Sequence, residues 1–300
     1  MDNQTNLKGA LNELTVEGVL HEKNLEIKTE DGKNMISGTI SIKTSETNIV
    51  TLRVSQNEYT KAGKPNSVYA GLVTVKDEYK SVAEVGNELA DKVRVTKGQI
   101  NPYHNKNTNT DTVGFKTNFI NRVKDESTFD PKAELDVELY ISSITGETSK
   151  EEETRGEETG RAIIRGWMPT YNGIEPLTFV VPEEYADDIR EEYKSGDTVL
   201  ISADVINSKV EKKQTIPVKI GKPKVKKITS YKNELLLTGI SESYEERKEN
   251  GEAVEPYNRD AIQKAIAERE IKIEEAKKDG ATATQQAKPP VTSGRPMPNW

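Results

Sequence analysis

GKNMISGTISIK, residues 32–43, and GRAIIRGWMPTY, residues 160–171, decide the fold, because they are one pattern written twice. At an offset of 128, Gly32 falls on Gly160, Lys33 on Arg161, Ile36 on Ile164 and Gly38 on Gly166. Working outward, ELTVEGVL (13–20) lies over ELDVELYI (134–141), and DKVRVTKGQIN (91–101) lies without a gap over DTVLISADVIN (197–207). The three blocks keep their order in both halves, which indicates an internal duplication. A repeat of about a hundred residues is too long for a solenoid and suits tandem domains.

Within the first copy, LTVEGVLH, MISGTISIK and NIVTLRVSQ alternate apolar and polar residues with the period of half-buried strands. Val82, Val85 and Leu89 share a helical face and predict a helix over 77–90, followed by strands at DKVRVTKGQI and at 113–123. The second copy predicts a helix over 182–196, opened by Pro182 and closed by Gly196. Three strands, a helix, then two strands is the order of the OB-fold, a five-stranded Greek-key barrel, and the mid-strand glycines Gly38 and Gly166 fit its sharply coiled strands. Tandem SH3-like barrels or paired sandwiches are the alternatives, and the helix position disfavours both. The expected fold is therefore mainly β with few helices. It comprises two tandem OB-like barrels over 1–128 and 129–242, a C-terminal helical segment over 243–280 and a disordered tail over 281–300. In that helical segment Asn258 or Asp260 caps a helix with an apolar stripe of Ile262, Ile266, Ile273 and Ala276 that ends at Gly280.

The composition suits thin barrels: 33% of residues are hydrophobic and 31% charged, with a net charge of -7. No cysteine is present, which excludes disulfides and thiolate chemistry and points to a reducing, cytoplasmic setting. No stretch reaches the roughly 20 apolar residues of a membrane span, so no membrane role is expected. The charge is unevenly spread, with nine lysines and one acid between Lys209 and Lys232 and the acids gathered over 147–158 and 242–279.

Catalytic patterns are missing. The two histidines, His21 and His104, stand near no nucleophile motif, and each is expected at a strand end or in a loop. No phosphate-cradling glycine loop and no EF-hand loop occurs, and no cofactor or metal is expected. The acid pairs at 183–184 and 187–188 belong to a helix start. Surface recognition remains. Period two places Arg165, Trp167 and, past Pro169, Tyr171 on the face opposite Ile164, Gly166 and Met168. A base can stack on Trp167 or Tyr171 while Arg161, Arg165 and the loop lysines Lys224, Lys226 and Lys227 neutralise phosphate. Packing between domains is the other role open to Trp167. The first copy offers Lys43 and Arg53 on the matching face. To these it adds Tyr59, Lys61, Lys64 and Tyr69 from an insertion after strand three, Tyr103 beyond strand four, and Lys116 and Arg122 on strand five. Phe115 and Phe119 are expected in the core.

With these paired barrels, the passage LLLTGISESYEERKENGEAVEPYNRDAIQKAIAERE, residues 235–270, resembles single-stranded DNA-binding proteins encoded by bacteriophages of low-GC Gram-positive bacteria. The resemblance implies non-catalytic coating of single-stranded DNA during phage DNA replication or recombination in the host cytoplasm. It also implies recruitment of replication or recombination proteins by a C-terminal aromatic, Trp300, although GRPMPNW lacks the usual acids and only the acidic 242–279 segment could replace them. A structural or adaptor protein, such as a virion component, is the alternative.

Overall fold

The computed structural model describes residues 7–151, 154–171, 173–216, 224–249 and 251–285, with the backbone course alone over 210–216, 224–230 and 278–285. The first copy forms β1 (Asn12–Glu30), β2 (Lys33–Lys43), β3 (Ile49–Asn57), α1 (Ser67–Glu78), α2 (Val82–Val85), β4 (Lys92–Asn105), β5 (Thr110–Lys116) and β6 (Ile120–Arg122). The second forms β7 (Lys132–Thr148), β8 (Glu158–Thr170), β9 (Gly173–Val181), α3 (Ala186–Glu192), β10 (Thr198–Ile216) and β11 (Lys224–Ile240), and α4 (Arg259–Gln285) ends the described chain.

In the first copy β1 pairs with β2, β2 with β3, β3 in parallel with β5, β5 with β4, and β4 returns to β1. The second copy repeats the circuit as β7, β8, β9, β11 and β10, again with a parallel third-to-fifth pairing. Each is a closed five-stranded Greek-key barrel, the OB arrangement. Gly38 and Gly166 hold equivalent places on β2 and β8. A Cβ at Gly38 would lie 1.9 Å from the Asn24 carbonyl oxygen, and one at Gly166 2.5 Å from Leu139 Cγ, so each barrel closes its first strand over a residue that must lack a side chain.

Several expectations are corrected. The main helix between strands three and four is α1, capped by the Asn66 side chain on the Val68 amide at 3.0 Å, and of the expected 77–90 segment only the end of α1 and the four residues of α2 are helical. Leu89, expected on a buried face, is 70% exposed. The expected strand over 113–123 is split at 117–119 into β5 and β6. The helix expected over 182–196 shortens to α3 after a 3-10 turn at Glu183–Tyr185. His21 is not at a strand end but at the bulge of β1 between Leu20 and Glu22. The gapless overlay of 91–101 on 197–207 also fails midway. Val16 pairs with Val95 as Val137 does with Ile201, but Leu14 then meets Gly98 where Leu135 meets Ala203. A one-residue bulge in β4 shifts the frame, so the buried counterpart of Ile100 is Val205 rather than Ile206. Helix α4 passes through Gly280 to Gln285, and residues 286–300, expected as a disordered tail, lie outside the described residues.

The barrels join through their first strands. β1 and β7 run antiparallel with Glu13 opposite Asp136, Leu14 opposite Leu135 and Thr15 opposite Glu134. Because the duplication equates 13–15 with 134–136, this joint has a local two-fold axis through the Leu14–Leu135 pair. The equivalent acids Glu17 and Glu138 are both buried and flank it. Glu17 takes Arg94 at 2.6 and 2.9 Å and the Asp130 amide at 3.1 Å; Glu138 takes the Leu11 amide and the Tyr244 and Tyr257 hydroxyls, each at 2.9 Å. Each carboxylate thus secures the chain as it enters the opposite barrel. A second tie comes from Asn48, whose side chain donates to the Val205 carbonyl and accepts from the Asn207 amide, fixing the β2–β3 hairpin against β10. No described helix is long and apolar enough to cross a membrane.

Candidate nucleic-acid interface

The outward faces of the second and third strands have diverged. On barrel two, Trp167 stands opposite Pro176, and Pro169 opposite Ile174. The duplication places Thr39, Arg53 and Thr51 at the matching sites of Trp167, Pro176 and Ile174 on barrel one. One face is apolar, the other polar and cationic.

Apolar surface seeks cover, and α4 supplies it. Asn258 caps the helix through the Ala261 amide at 3.0 Å. Ile262 and Ala265 then bury themselves against Tyr140 and Ile174, with Trp167, Tyr257, Ile266 and Leu7 packed around them. The Arg269 guanidinium lies 5.9 Å from the Trp167 ring centre. Trp167 is thus half-buried under α4, the packing role rather than the open stacking platform. Two neighbours of Trp167 remain available: Arg165 is exposed and donates to Thr145 at 2.9 Å, and Tyr171 in the β8–β9 turn is 93% exposed. Arg161 is not available for phosphate. It bridges Glu147 at 2.8 and 3.0 Å and Glu234 at 3.0 Å, and although burial works against its charge, those carboxylates hold its pKa above the usual value.

Barrel one presents the open surface. Tyr103 on β4 reaches over Gly114 of the neighbouring β5, where a Cβ would lie 3.5 Å from the ring. Its ring meets Arg53 of β3, whose Cζ is 5.3 Å from the ring centre. Lys116 follows Gly114 on the same face of β5, opposite Arg53 in the parallel ladder, and is exposed with no ion-pair partner among the described residues. Beyond it Phe119, expected in the core, is 40% exposed with Lys97 Nζ 5.0 Å from its ring centre. Thr51 and Ser55 complete an uncovered stripe of two ring-and-cation pairs with a lysine between them. Sequence reading names Arg53, Tyr103 and Lys116 without joining them. It misses Phe119, Lys97 and the room at Gly114, because only the β3–β5–β4 order brings these together.

Other expected residues fall elsewhere. Tyr69 is on α1, half-buried against the core, since the supposed insertion is partly helix. Arg122 is held by Asp91 at 2.8 and 2.9 Å and stacks on Tyr79, which makes it a brace for the barrel. Lys43 pairs with Glu46 at 3.0 Å. Tyr59, Lys61 and Lys64 are exposed around the turn closed by the Tyr59–Pro65 bridge. Lys224, Lys226 and Lys227 lie in the long β10–β11 ladder opposite Ile216, Gln214 and Lys213, but their side chains lie outside the described residues. Among the described residues no group of three histidine, aspartate or glutamate side chains is placed to hold a metal ion.

Where the barrels and α4 meet, Arg269 Nη2 donates to Asp111 of the β4–β5 hairpin at 2.5 Å and to Glu175 at 2.9 Å, with Nε on Glu175 at 3.0 Å. Asp111 also contacts His104 Nδ1 at 2.9 Å. Burial disfavours both carboxylates. The hydrogen bonds from Arg269 and His104 outweigh it at Asp111, whose pKa falls, whereas at Glu175 burial prevails and the pKa rises.

Two crystal structures of the Thermus aquaticus single-stranded DNA-binding protein are similar to this chain. The wild type is 10% identical with a TM-score of 0.45, covering 78% of this chain and 94% of its own. A deletion mutant is 11% identical with a TM-score of 0.46, covering 81% and 98%. No curated protein matches in sequence. The YorF family model, however, spans residues 10–279, both barrels and most of α4, and this chain of two joined OB barrels belongs to the YorF family.

Proposed function

We propose that the chain binds single-stranded DNA without catalysis, on the outward face of barrel one. Bases stack on Tyr103 and Phe119, while Arg53, Lys97 and Lys116 neutralise phosphate, with Lys61 and Lys64 at the margin. Arg165 and Tyr171 extend the surface onto barrel two. The observation that carries this reading is the Arg53–Tyr103 pair at 5.3 Å on a face that nothing covers among the described residues. A flat ring beside a cation offers both things an unpaired nucleotide presents a partner for, a π surface and a phosphate. In this reading residues 1–128 are the principal binding unit, 129–242 the second and 243–280 the helical segment that serves both. The resemblance of residues 235–270 supports a role in phage DNA replication or recombination in the host cytoplasm. The acidic C-terminal segment and Trp300, which lies outside the described residues, would recruit protein partners.

One observation favours the adaptor reading: the face of barrel two that matches the binding face of barrel one is occupied by a helix of protein. A fluorescent oligo-dT titration at two salt concentrations separates the two. The proposed function requires binding that weakens as salt rises, because phosphate neutralisation releases counterions. Tyr103→Ala then loses about 5- to 150-fold in affinity, the equivalent of 1–3 kcal/mol for one stack. Absence of binding at low salt rejects the reading in favour of the adaptor, and an unaltered Tyr103→Ala removes the barrel-one face as the site.

A further inference from the structure

Arg269 belongs to the helix that covers barrel two, yet it holds a hairpin of barrel one. We propose that it is a positioning residue for the nucleic-acid face, a strut that fixes the β4–β5 hairpin and through it Tyr103. The inference rests on the function proposed above and adds to it a part for the C-terminal helix. Arg269 is only 11% exposed, and its two acceptors come from different barrels, Asp111 and Glu175. Asp111 faces His104 across the hairpin ladder, and the next rung is Tyr103 with Thr112. The guanidinium therefore grips the hairpin one rung from the ring that meets Arg53.

Among the described residues no other side-chain hydrogen bond or ion pair ties the hairpin tip to α4 or barrel two. The side-chain bonds described at its tip are internal: Asn105 accepts from the Asn107 and Thr108 amides, Thr108 bonds Thr110, and His104 contacts Asn109 and Asp111. Between the hairpin and α4 lies an open cleft of about 250 Å³, lined by His104, Lys106, Ile174, Ala265, Arg269 and Lys272. On the α4 side, packed side chains would have held the hairpin by contact. A cleft does not, and the ion pairs of Arg269 cross it.

The test is an oligo-dT titration over a salt series with Arg269→Ala, Tyr103→Ala and the double variant. Arg269→Ala lowers affinity roughly three- to tenfold, and adds nothing further when Tyr103 is already alanine, because the two act through one ring. The slope of log affinity against log salt stays that of the wild type, since a strut touches no phosphate. Losing a real phosphate contact would flatten it by about 0.7. Asp111→Ala removes the acceptor from the hairpin side with α4 untouched, and gives the same loss even if Arg269→Ala disturbs the helix. Additive losses, a flattened slope, or wild-type affinity in Asp111→Ala overturn the strut while leaving the binding face standing. A wild type that fails to bind, or an indifferent Tyr103→Ala, removes the function reading and the strut with it.

Discussion

Glu138 is 9% exposed and receives three hydrogen bonds, from the Leu11 amide and the Tyr244 and Tyr257 hydroxyls. Burial alone would raise its pKa, but these donors outweigh burial and hold it below the ordinary value near 4.5. A carboxyl with a depressed folded-state pKa contributes stability that is present above 4.5 and is lost as pH falls through the folded value. Glu17, its counterpart at the other end of the joint, is shifted the same way, chiefly by Arg94 against the pull of burial. Glu138→Ala leaves three donors without an acceptor and is expected to cost about 3 kcal/mol, roughly one for each. Urea unfolding at neutral pH measures that loss. The gap between wild type and variant narrows as the pH is taken below 4.5, because the unfolded wild-type chain takes up a proton at this carboxyl before the folded one does, which favours unfolding of the wild type alone. A gap that widens in acid would reverse the assignment of the shift.

At the level of elements, α4 rests on barrel two through Ile262, fully buried, and Ala265, 2% exposed, with Trp167 beside them. Ile262→Ala is expected to cost about 2–5 kcal/mol locally. The helix should then part from the barrel before the barrel unfolds. The chain has two tryptophans, so in a Trp300→Phe background Trp167 is the sole source of tryptophan emission. Its emission in Ile262→Ala should shift to the red at urea concentrations below the far-ultraviolet transition; coincident transitions would mean that helix and barrel are one unit. The strands around Trp167 are legible in sequence because the period of two over 164–168 follows the pleat, and the repeated glycine fixes the frame. The helices are less so. Val82 and Val85 belong to the single turn of α2, and Leu89 only extends their spacing, while the longer helix α1 contains Gly71 and the β-branched Val68, Val73, Thr74 and Val75, which lower its propensity and hide its Asn66 cap. What no periodicity contains is the partner of a charge. Arg161 reads as a free cation until Glu147 and Glu234, 14 and 73 residues away, close on it. Arg269 reads as an ordinary helix-surface residue until Asp111, 158 residues away, meets it.

Across the whole molecule, the β1–β7 joint makes two barrels into one sheet, and its geometry resembles a homodimer interface drawn inside a single chain. Leu14 and Leu135 face each other on the local two-fold axis, at 1% and 0% exposure, and each also belongs to the apolar core of its own barrel. Truncating either to alanine is expected to cost about 2–5 kcal/mol. Because the cavities they leave adjoin, the pair should be non-additive by more than about 0.5 kcal/mol, whereas residues at the centres of separate barrels would simply add. The same joint, with Glu17, Glu138 and Asn48 crossing between the barrels, is expected to give the wild type a single transition by calorimetry, with the calorimetric and van't Hoff enthalpies equal. Two resolved transitions, or strict additivity of Leu14→Ala and Leu135→Ala, would mean that the barrels are stable apart and that the joint only tethers them. Cooperation between them matters for binding as well. A strut anchored on one barrel can hold a ring on the other only if the two do not move independently.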